Sequence, residues 1–178
     1  MAMGQETLTF ALMGNQNSGK TTLFNRLTGS EQQVSNYPGV TVERIEGKLR
    51  QHSECTIVDL PGIYSLSPYF PEEIISRNFL LEEKPDLILN IVDATSLERG
   101  LYLTLQLIEL DIPMTLALNM IDEMPALGRK IDVDKLEEVL GIPVVPISAS
   151  QNEGVSEFVR VSLETANHKR KPKNPDLC

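Results

Sequence analysis

Short runs of consecutive apolar residues alternate along the chain with stretches whose apolar positions recur every three or four residues. The first pattern is that of strands buried on both faces and the second that of amphipathic helices. Their alternation predicts an α/β protein with a largely parallel sheet. Leu8–Met13 is the first strand, followed by a glycine-containing turn and a helix over Lys20–Leu27. Val42–Arg50 and Glu54–Asp59 are two strands close enough to pair as a hairpin. Pro71–Glu83 has helical character, with a proline suited to the first turn and two acids beside it. Leu87–Asp93 is a buried strand. Leu97–Leu110 is a helix whose stripe Leu97, Leu101, Leu105 and Ile108 is assigned to the core. Pro113–Asn119 and Pro143–Ser148 are strands, and Val133–Leu140 and Val155–Thr165 are helices. The result is six strands and five helices, with Gly29–Thr41 and Gly62–Phe70 matching no regular element. The domain is expected to span residues 1–167, and the lysine- and proline-rich tail from His168 to be disordered.

Composition narrows this picture. The chain has 178 residues, 41% apolar and 23% charged, enough for one domain with a full core. Two cysteines (Cys55, Cys178) and two histidines (His52, His168) exclude a disulfide scaffold and a zinc cluster. Cys55 reads as a small core residue and His52 as part of a hairpin turn. No apolar run approaches the roughly 20 residues of a membrane span, and no basic segment followed by an apolar one marks a secretion signal. The net charge is −9; the tail from His168 carries four basic residues and one acid, so residues 1–167 carry −12. Such a body disfavours nucleic acid and anionic lipid as partners, although the basic tail leaves a membrane-surface role open. An anion has to be held locally, by backbone N–H groups and a few cations.

Gly14-Asn15-Gln16-Asn17-Ser18-Gly19-Lys20-Thr21 supplies such a place. It fills every fixed position of the phosphate-loop pattern, between a strand and a helix. Glycines let the backbone wrap a phosphate with its N–H groups inward, and the helix N-terminus adds positive potential. Lys20 is predicted to reach the terminal phosphates, Thr21 to bind Mg²⁺ through its hydroxyl, and Thr22 to continue the site. Asn119-Met120-Ile121-Asp122 follows a strand in the form Asn-x-x-Asp. A carboxylate at Asp122 can accept from both N1–H and the exocyclic amine of guanine, a donor pair adenine lacks. Ser148-Ala149-Ser150 ends the last strand and offers a backbone N–H to the guanine carbonyl. Asp59-Leu60-Pro61-Gly62 ends another strand, placing Asp59 near a metal-bound water and the Gly62 N–H near a γ-phosphate. Thr41, in Pro38-Gly39-Val40-Thr41, can complete the Mg²⁺ shell.

These elements, in this order, resemble the small GTP-binding domains, and the finer wording narrows the match. Gly14–Asn25, Tyr37–Arg44, Asp59–Leu66, and Leu97-Glu98-Arg99 followed by Leu101-Tyr102-Leu103-Thr104 are similar to the FeoB family, ferrous-iron transport protein B, in its N-terminal cytosolic G domain. The resemblance covers about residues 7–165. It departs where the family commonly has Trp at Tyr37 and Pro at Gln16. It implies a three-layer, Ras-like P-loop fold with a mixed, mostly parallel six-stranded sheet, GTP or GDP and Mg²⁺ in the site, and a place on the cytoplasmic face of the bacterial cell membrane. It also implies a helical domain and a membrane domain after this one; without them this stretch binds nucleotide but cannot itself move iron. Assembly into oligomers is a further possibility.

The position where Ras-like enzymes carry a water-orienting glutamine is Ile63. Ile63 has no polar group, and Arg44 and Arg77 are cis-acting arginines only by proximity in sequence, so hydrolysis is expected to be slow. The resemblance implies that Asn17 helps hold K⁺ against the phosphates; otherwise Asn17 stabilises the loop turn. The groups expected to act on the reacting phosphate are thus Asn17, Lys20, Thr41 and Gly62. Two other functions stay open: a nucleotide-gated binding module with negligible turnover, and a ribosome-assembly GTPase, which the acidic body disfavours.

Overall fold

The computed structural model describes residues 6–29 and 32–173. Its centre is a sheet of seven strands: β1 (Leu8–Gly14), β2 (Gln32–Asn36), β3 (Glu43–Leu49), β4 (His52–Asp59), β5 (Leu87–Asp93), β6 (Met114–Asn119) and β7 (Val144–Pro146). Their order is β2-β3-β4-β1-β5-β6-β7. The hairpin partners β2/β3 and β3/β4 are antiparallel, and every other neighbouring pair is parallel. Helices α1 (Lys20–Thr28), α2 (Pro71–Asn78), α3 (Leu97–Ile108), α4 (Val133–Leu140) and α5 (Val155–Asn167) cover both faces.

Alternation of side chains along β1 divides the core in two. Phe10 and Leu12 pack with Leu23, Phe24 and Leu27 of α1 and Phe158 of α5. Ala11 and Met13 face the opposite layer, with Leu103 and Leu107 of α3, Leu140 of α4, and Phe79 and Leu80 after α2. The central strands carry apolar residues on both faces because helices cover both. The architecture is the α/β fold with a largely parallel sheet expected from the alternation, in the three layers the resemblance implies, with one strand more.

The seventh strand is β2, inside the segment assigned no regular element. All five of its residues are exposed, so they carry no burial pattern, and the strand forms by pairing with β3. The intervening reversal is set by Pro38-Gly39: the Val40 N–H donates to the Tyr37 carbonyl at 3.3 Å, and Gly39 has φ +76°. Proline then glycine at the two central positions is the requirement of a type II turn.

Two helical assignments also change. The run Pro71–Glu83 is α2 followed by a π-helical turn, Phe79–Glu83, which brings Phe79 and Leu80 onto the sheet. The buried face of α3 is Gly100, Leu103, Thr104, Leu107 and Ile108; Leu97 and Leu101 are half-buried and Leu105 is 40% exposed. Gly100 allows this rotation, since a Cβ there would lie 2.6 Å from Val92 Cγ1 of β5. Thr104 donates through Oγ1 to Asn90 Oδ1 at 2.6 Å, and Asn90 Nδ2 donates to the Met13 carbonyl at 3.2 Å. A wholly buried polar chain therefore runs from α3 through β5 to the end of β1. Of the basic tail, residues 168–173 are described: the Lys173 N–H donates to the Gly141 carbonyl at 3.0 Å, and Pro172 is buried. Its last five residues lie outside the described residues.

Candidate nucleotide site

The C-terminal ends of β1, β4, β5 and β6 and the loop after β7 meet at one edge of the sheet, where open α/β sheets hold ligands. From β1 the chain turns through Asn15–Gly19 into α1. The Ser18 N–H and Oγ both donate to the Asn15 carbonyl, at 3.3 and 2.7 Å. Asn17 (φ +64°) and Gly19 (φ +91°) are left-handed, a conformation that asparagine tolerates and glycine takes freely. Gly19 is also required by space: a Cβ there would lie 2.2 Å from Asn119 Nδ2. Asn17 and Gln16 are exposed at the loop tip, and Thr21 and Thr22 are exposed on the first turn of α1.

Lys20 opens α1 and points its Nζ onto Asp59 Oδ1 at the end of β4. Both side chains are almost enclosed, at 12% and 13% exposure. Burial pushes the Asp59 carboxyl above its ordinary range, and the Lys20 charge opposes that shift without cancelling it. The strand continues past Asp59: the Leu60 N–H donates to the Leu12 carbonyl at 3.1 Å, and the Ile63 N–H to the Gly14 carbonyl at 3.1 Å. These bonds bring Pro61-Gly62 onto the phosphate loop, where a Cβ at Gly62 would lie 2.8 Å from Gln16 Cγ. Ile63 is 3% exposed and belongs to the core, as its lack of a polar group requires.

At the other end of the site, Asn119 joins three segments. Its Nδ2 donates to the Ser18 carbonyl and its Oδ1 accepts from the Ala149 N–H, both at 3.0 Å. Met120, left-handed at φ +64°, turns the chain into a 3₁₀ turn, Ile121–Glu123, on which Asp122 is exposed. Ser148 and Ala149 are buried and Ser150 is exposed. Reciprocal backbone bonds between Ser148 and Glu153, at 2.9 and 3.0 Å, close the loop on itself.

The structure thus gathers Gly14–Lys20, Asp59–Gly62, Asn119 and Ser148–Ser150. It does not join Thr41 to them: Pro38, Gly39, Val40 and Thr41 are exposed, and no hydrogen bond links Thr41 to the phosphate loop, Lys20 or Asp59 among the described residues. Arg44 is engaged elsewhere. It lies 5.9 Å over the Tyr37 ring and 5.3 Å over the Phe79 ring and pairs with Glu83 at 2.9 Å. Arg77 is exposed on α2.

Several contacts carried no sequence signal. Arg99 stacks 4.4 Å over the Tyr64 ring, and Gln106 Oε1 accepts from the Leu66 N–H at 2.7 Å, so α3 seats the segment after Gly62. A cavity of about 100 Å³ remains between Asn15–Ser18, Tyr64 and Arg99. Arg26, at the far end of α1, donates to the carbonyls of Ala149 and Ser150. An exposed helical arginine offers nothing in its own sequence neighbourhood to announce a bond 123 residues away.

The comparisons with known proteins bear on the same residues. The family model described as "Ferrous iron transport protein B" matches residues 8–161. A Porphyromonas gingivalis protein named as a fusion of Fe(2+) transport protein A with the Fe(2+) transporter FeoB is 52% identical over 150 residues, 83% of this chain and 18% of its own length. A point variant of S. thermophilus NFeoB bound to GDP superposes with a TM-score of 0.89 at 53% identity, covering 93% of this chain and 64% of that one. The same variant bound to GDP·AlF4⁻ gives 0.81 at 54% identity, covering 90% and 64%. The chain spans about a fifth of the length of the curated relatives it matches. The matched stretch runs from β1 into α5 and contains every segment gathered at the sheet edge. By that span and by the fold they share, the chain belongs to the ferrous iron transport protein B family and has the fold of its N-terminal G domain.

Proposed function

We propose that this domain binds guanine nucleotide with Mg²⁺ and hydrolyses GTP slowly, with K⁺ accelerating the step, as a switch on the cytoplasmic face of a ferrous-iron transporter. The observation that carries the reading is the enclosed Lys20–Asp59 pair facing the phosphate loop, with Asn119 tying that loop to Ala149. An S. thermophilus NFeoB variant bound to GDP·AlF4⁻, at 54% identity, supports it.

The N–H groups of the phosphate loop, apart from that of Ser18, which is bonded to the Asn15 carbonyl, cradle the phosphates, and Lys20 moves from Asp59 to the incoming anion. The oxygen donors Thr21, Thr41 and Asp59 suit Mg²⁺ and would hold it beside the phosphates. Mg²⁺ supplies charge that draws electron density from the phosphoryl group. Thr41 starts exposed and has to be drawn in, which makes the exposed residues 38–41 a moving element; Gly62 offers its N–H to the γ-phosphate. Water attacks the γ-phosphorus, the bond to the bridging oxygen breaks, and GDP and phosphate leave. Ile63 cannot orient that water. The exposed Asn17 amide has an oxygen suited to K⁺, which supplies the charge an arginine finger gives elsewhere. Asp122 and the Ser148–Ser150 backbone read guanine. By kinship with the far longer relatives, helical and membrane domains are its partners.

The test is multiple-turnover phosphate release with GTP in KCl and in NaCl. Faster release in KCl, abolished in Asn17→Ala with GDP binding retained, is the expected result. Equal rates in both salts refute the K⁺ role. Absence of turnover with intact GTP binding makes the domain a nucleotide-gated binding module.

A further inference from the structure

We infer that Arg26 is a positioning residue for the guanine-reading loop and sets how fast the nucleotide leaves; this rests on the guanine reading proposed above. Arg26 sits on the last turn of α1, the helix that begins at the phosphate loop. Its Nε donates to the Ala149 carbonyl at 3.0 Å and its Nη2 to the Ser150 carbonyl at 2.9 Å. One edge of a planar guanidinium thus takes two consecutive carbonyls, a geometry an ammonium cannot copy. The backbone beneath it is held as well, since Arg50 Nε donates to the Arg26 carbonyl at 3.0 Å.

The loop itself is closed at its base by Ser148 and Glu153, and within the tip only long bonds hold it: the Asn152 N–H donates to the Ala149 carbonyl at 3.3 Å and the Gln151 N–H to Ser148 Oγ at 3.4 Å, so the shorter ties come from outside. Two side chains do so from opposite edges. Asn119, from the end of β6, takes the N–H of Ala149. Arg26 takes the C=O of Ala149 and of Ser150. The peptide planes of the tip are therefore oriented before a base arrives, which lowers the ordering cost of binding and raises the barrier to the loop opening that releases the base. The two ties differ in surroundings. Asn119 is buried, whereas Arg26 and Ser150 are exposed, so water can replace the arginine at the Ser150 carbonyl, and the buried Ala149 carbonyl keeps the Asn152 N–H as a donor. Removing Arg26 loosens the tip without opening a buried defect. Because Arg26 and Lys20 share one nine-residue helix, the two ends of the nucleotide site are braced by a single rigid element.

The experiment measures dissociation and association of a fluorescent GDP analogue for wild type and for Arg26→Ala, Arg26→Gln and Arg26→Lys, with Asp122→Ala alongside. Hydrogen exchange at residues 149–152 and thermal melting of the nucleotide-free proteins are followed in parallel. Arg26→Ala is expected to raise the dissociation rate about three- to tenfold while association changes less than about twofold, the usual division when contacts rather than encounter are altered. Arg26→Gln follows the alanine variant, and Arg26→Lys falls between, keeping charge but losing the fork. Exchange at 149–152 accelerates while the melting temperature stays near wild type. A wild-type dissociation rate in Arg26→Ala, with Asp122→Ala still losing guanine preference, overturns this inference and leaves the guanine reading intact. Loss of stability with unchanged dissociation overturns it in favour of a packing role. A wild type that binds no GDP overturns both.

Discussion

Replacing Asn119 with alanine deletes two bonds with one cut. The residue is 3% exposed, and its carboxamide spans the Ser18 carbonyl on one side and the Ala149 N–H on the other, both at 3.0 Å. After the change, a buried acceptor and a buried donor lose their partners. Each such orphan costs about 1–3 kcal/mol, so the nucleotide-free protein should lose about 2–6 kcal/mol. Domains of this kind hold about 5–15 kcal/mol in total, so the effect is readily seen in a urea titration as a lower midpoint at unchanged slope. The isosteric Asn119→Asp is the sharper probe. It keeps the acceptor for Ala149 but sets a carboxylate oxygen against the Ser18 carbonyl, so it should be no better than alanine despite its matching shape. Asp122→Ala serves as the contrast: Asp122 is exposed, and its removal should leave stability within about 0.5 kcal/mol. An Asn119→Ala midpoint equal to wild type, or an Asn119→Asp protein as stable as the parent, would refute the two-bond argument.

Tyr37 tests burial without a partner: its hydroxyl is enclosed and unbonded, and burial pushes the phenol up to about 12. Tyr37→Phe should therefore be neutral or stabilising by up to about 1 kcal/mol in urea unfolding; with the folded value above the unfolded one near 10, the wild type should lose stability as pH climbs from 10 towards 12, a loss the variant lacks. Asp59 shows the same sign at the acid end. Its folded value lies above the ordinary 3.8, so the stability tied to its protonated form is complete below that pH and is lost as pH rises through the elevated value; the stability difference between wild type and Asp59→Asn, measured in urea across that window, should fall as pH rises.

What the sequence made legible is chemistry that needs fixed residue types at fixed spacing. The phosphate loop, Asp59–Gly62, Asn119 and Ser148–Ser150 each end a strand, so the parallel sheet alone brings them to one edge. What it hid depended on partners distant in the chain. Gln32–Asn36 has no burial alternation and is a strand only because β3 lies beside it. Hydropathy favoured Leu97, Leu101, Leu105 and Ile108 for the inner face of α3; Ile108 is buried, Leu97 and Leu101 pack against the core from its margin, and Leu105 is exposed. The centre of the buried face carries Gly100 and Thr104, chosen by the closeness of Val92 and by the bond to Asn90, neither of which is an apolar signal. The π-helical turn after α2 escaped for a related reason: apolar residues continue through Phe79–Leu81, and spacing alone does not show where the hydrogen-bond register widens. Arg26 was invisible because nothing near it in the chain needs it.

The strand β2 ends the sheet, and its outer backbone groups meet no further strand among the described residues. Its five residues, Gln32 to Asn36, include no charge and no proline, and Val34 is 61% exposed. Proteins commonly guard such an edge with lysine, proline or a bulge, because an unguarded one is a template on which another extended chain can crystallise residue by residue. The body's charge of −12 repels sister molecules at long range, yet that repulsion fades within about 10 Å at 0.1 M salt. Concentrated, salted solutions of this domain should therefore turn cloudy along this one rim, and a single lysine at position 34 should keep them clear.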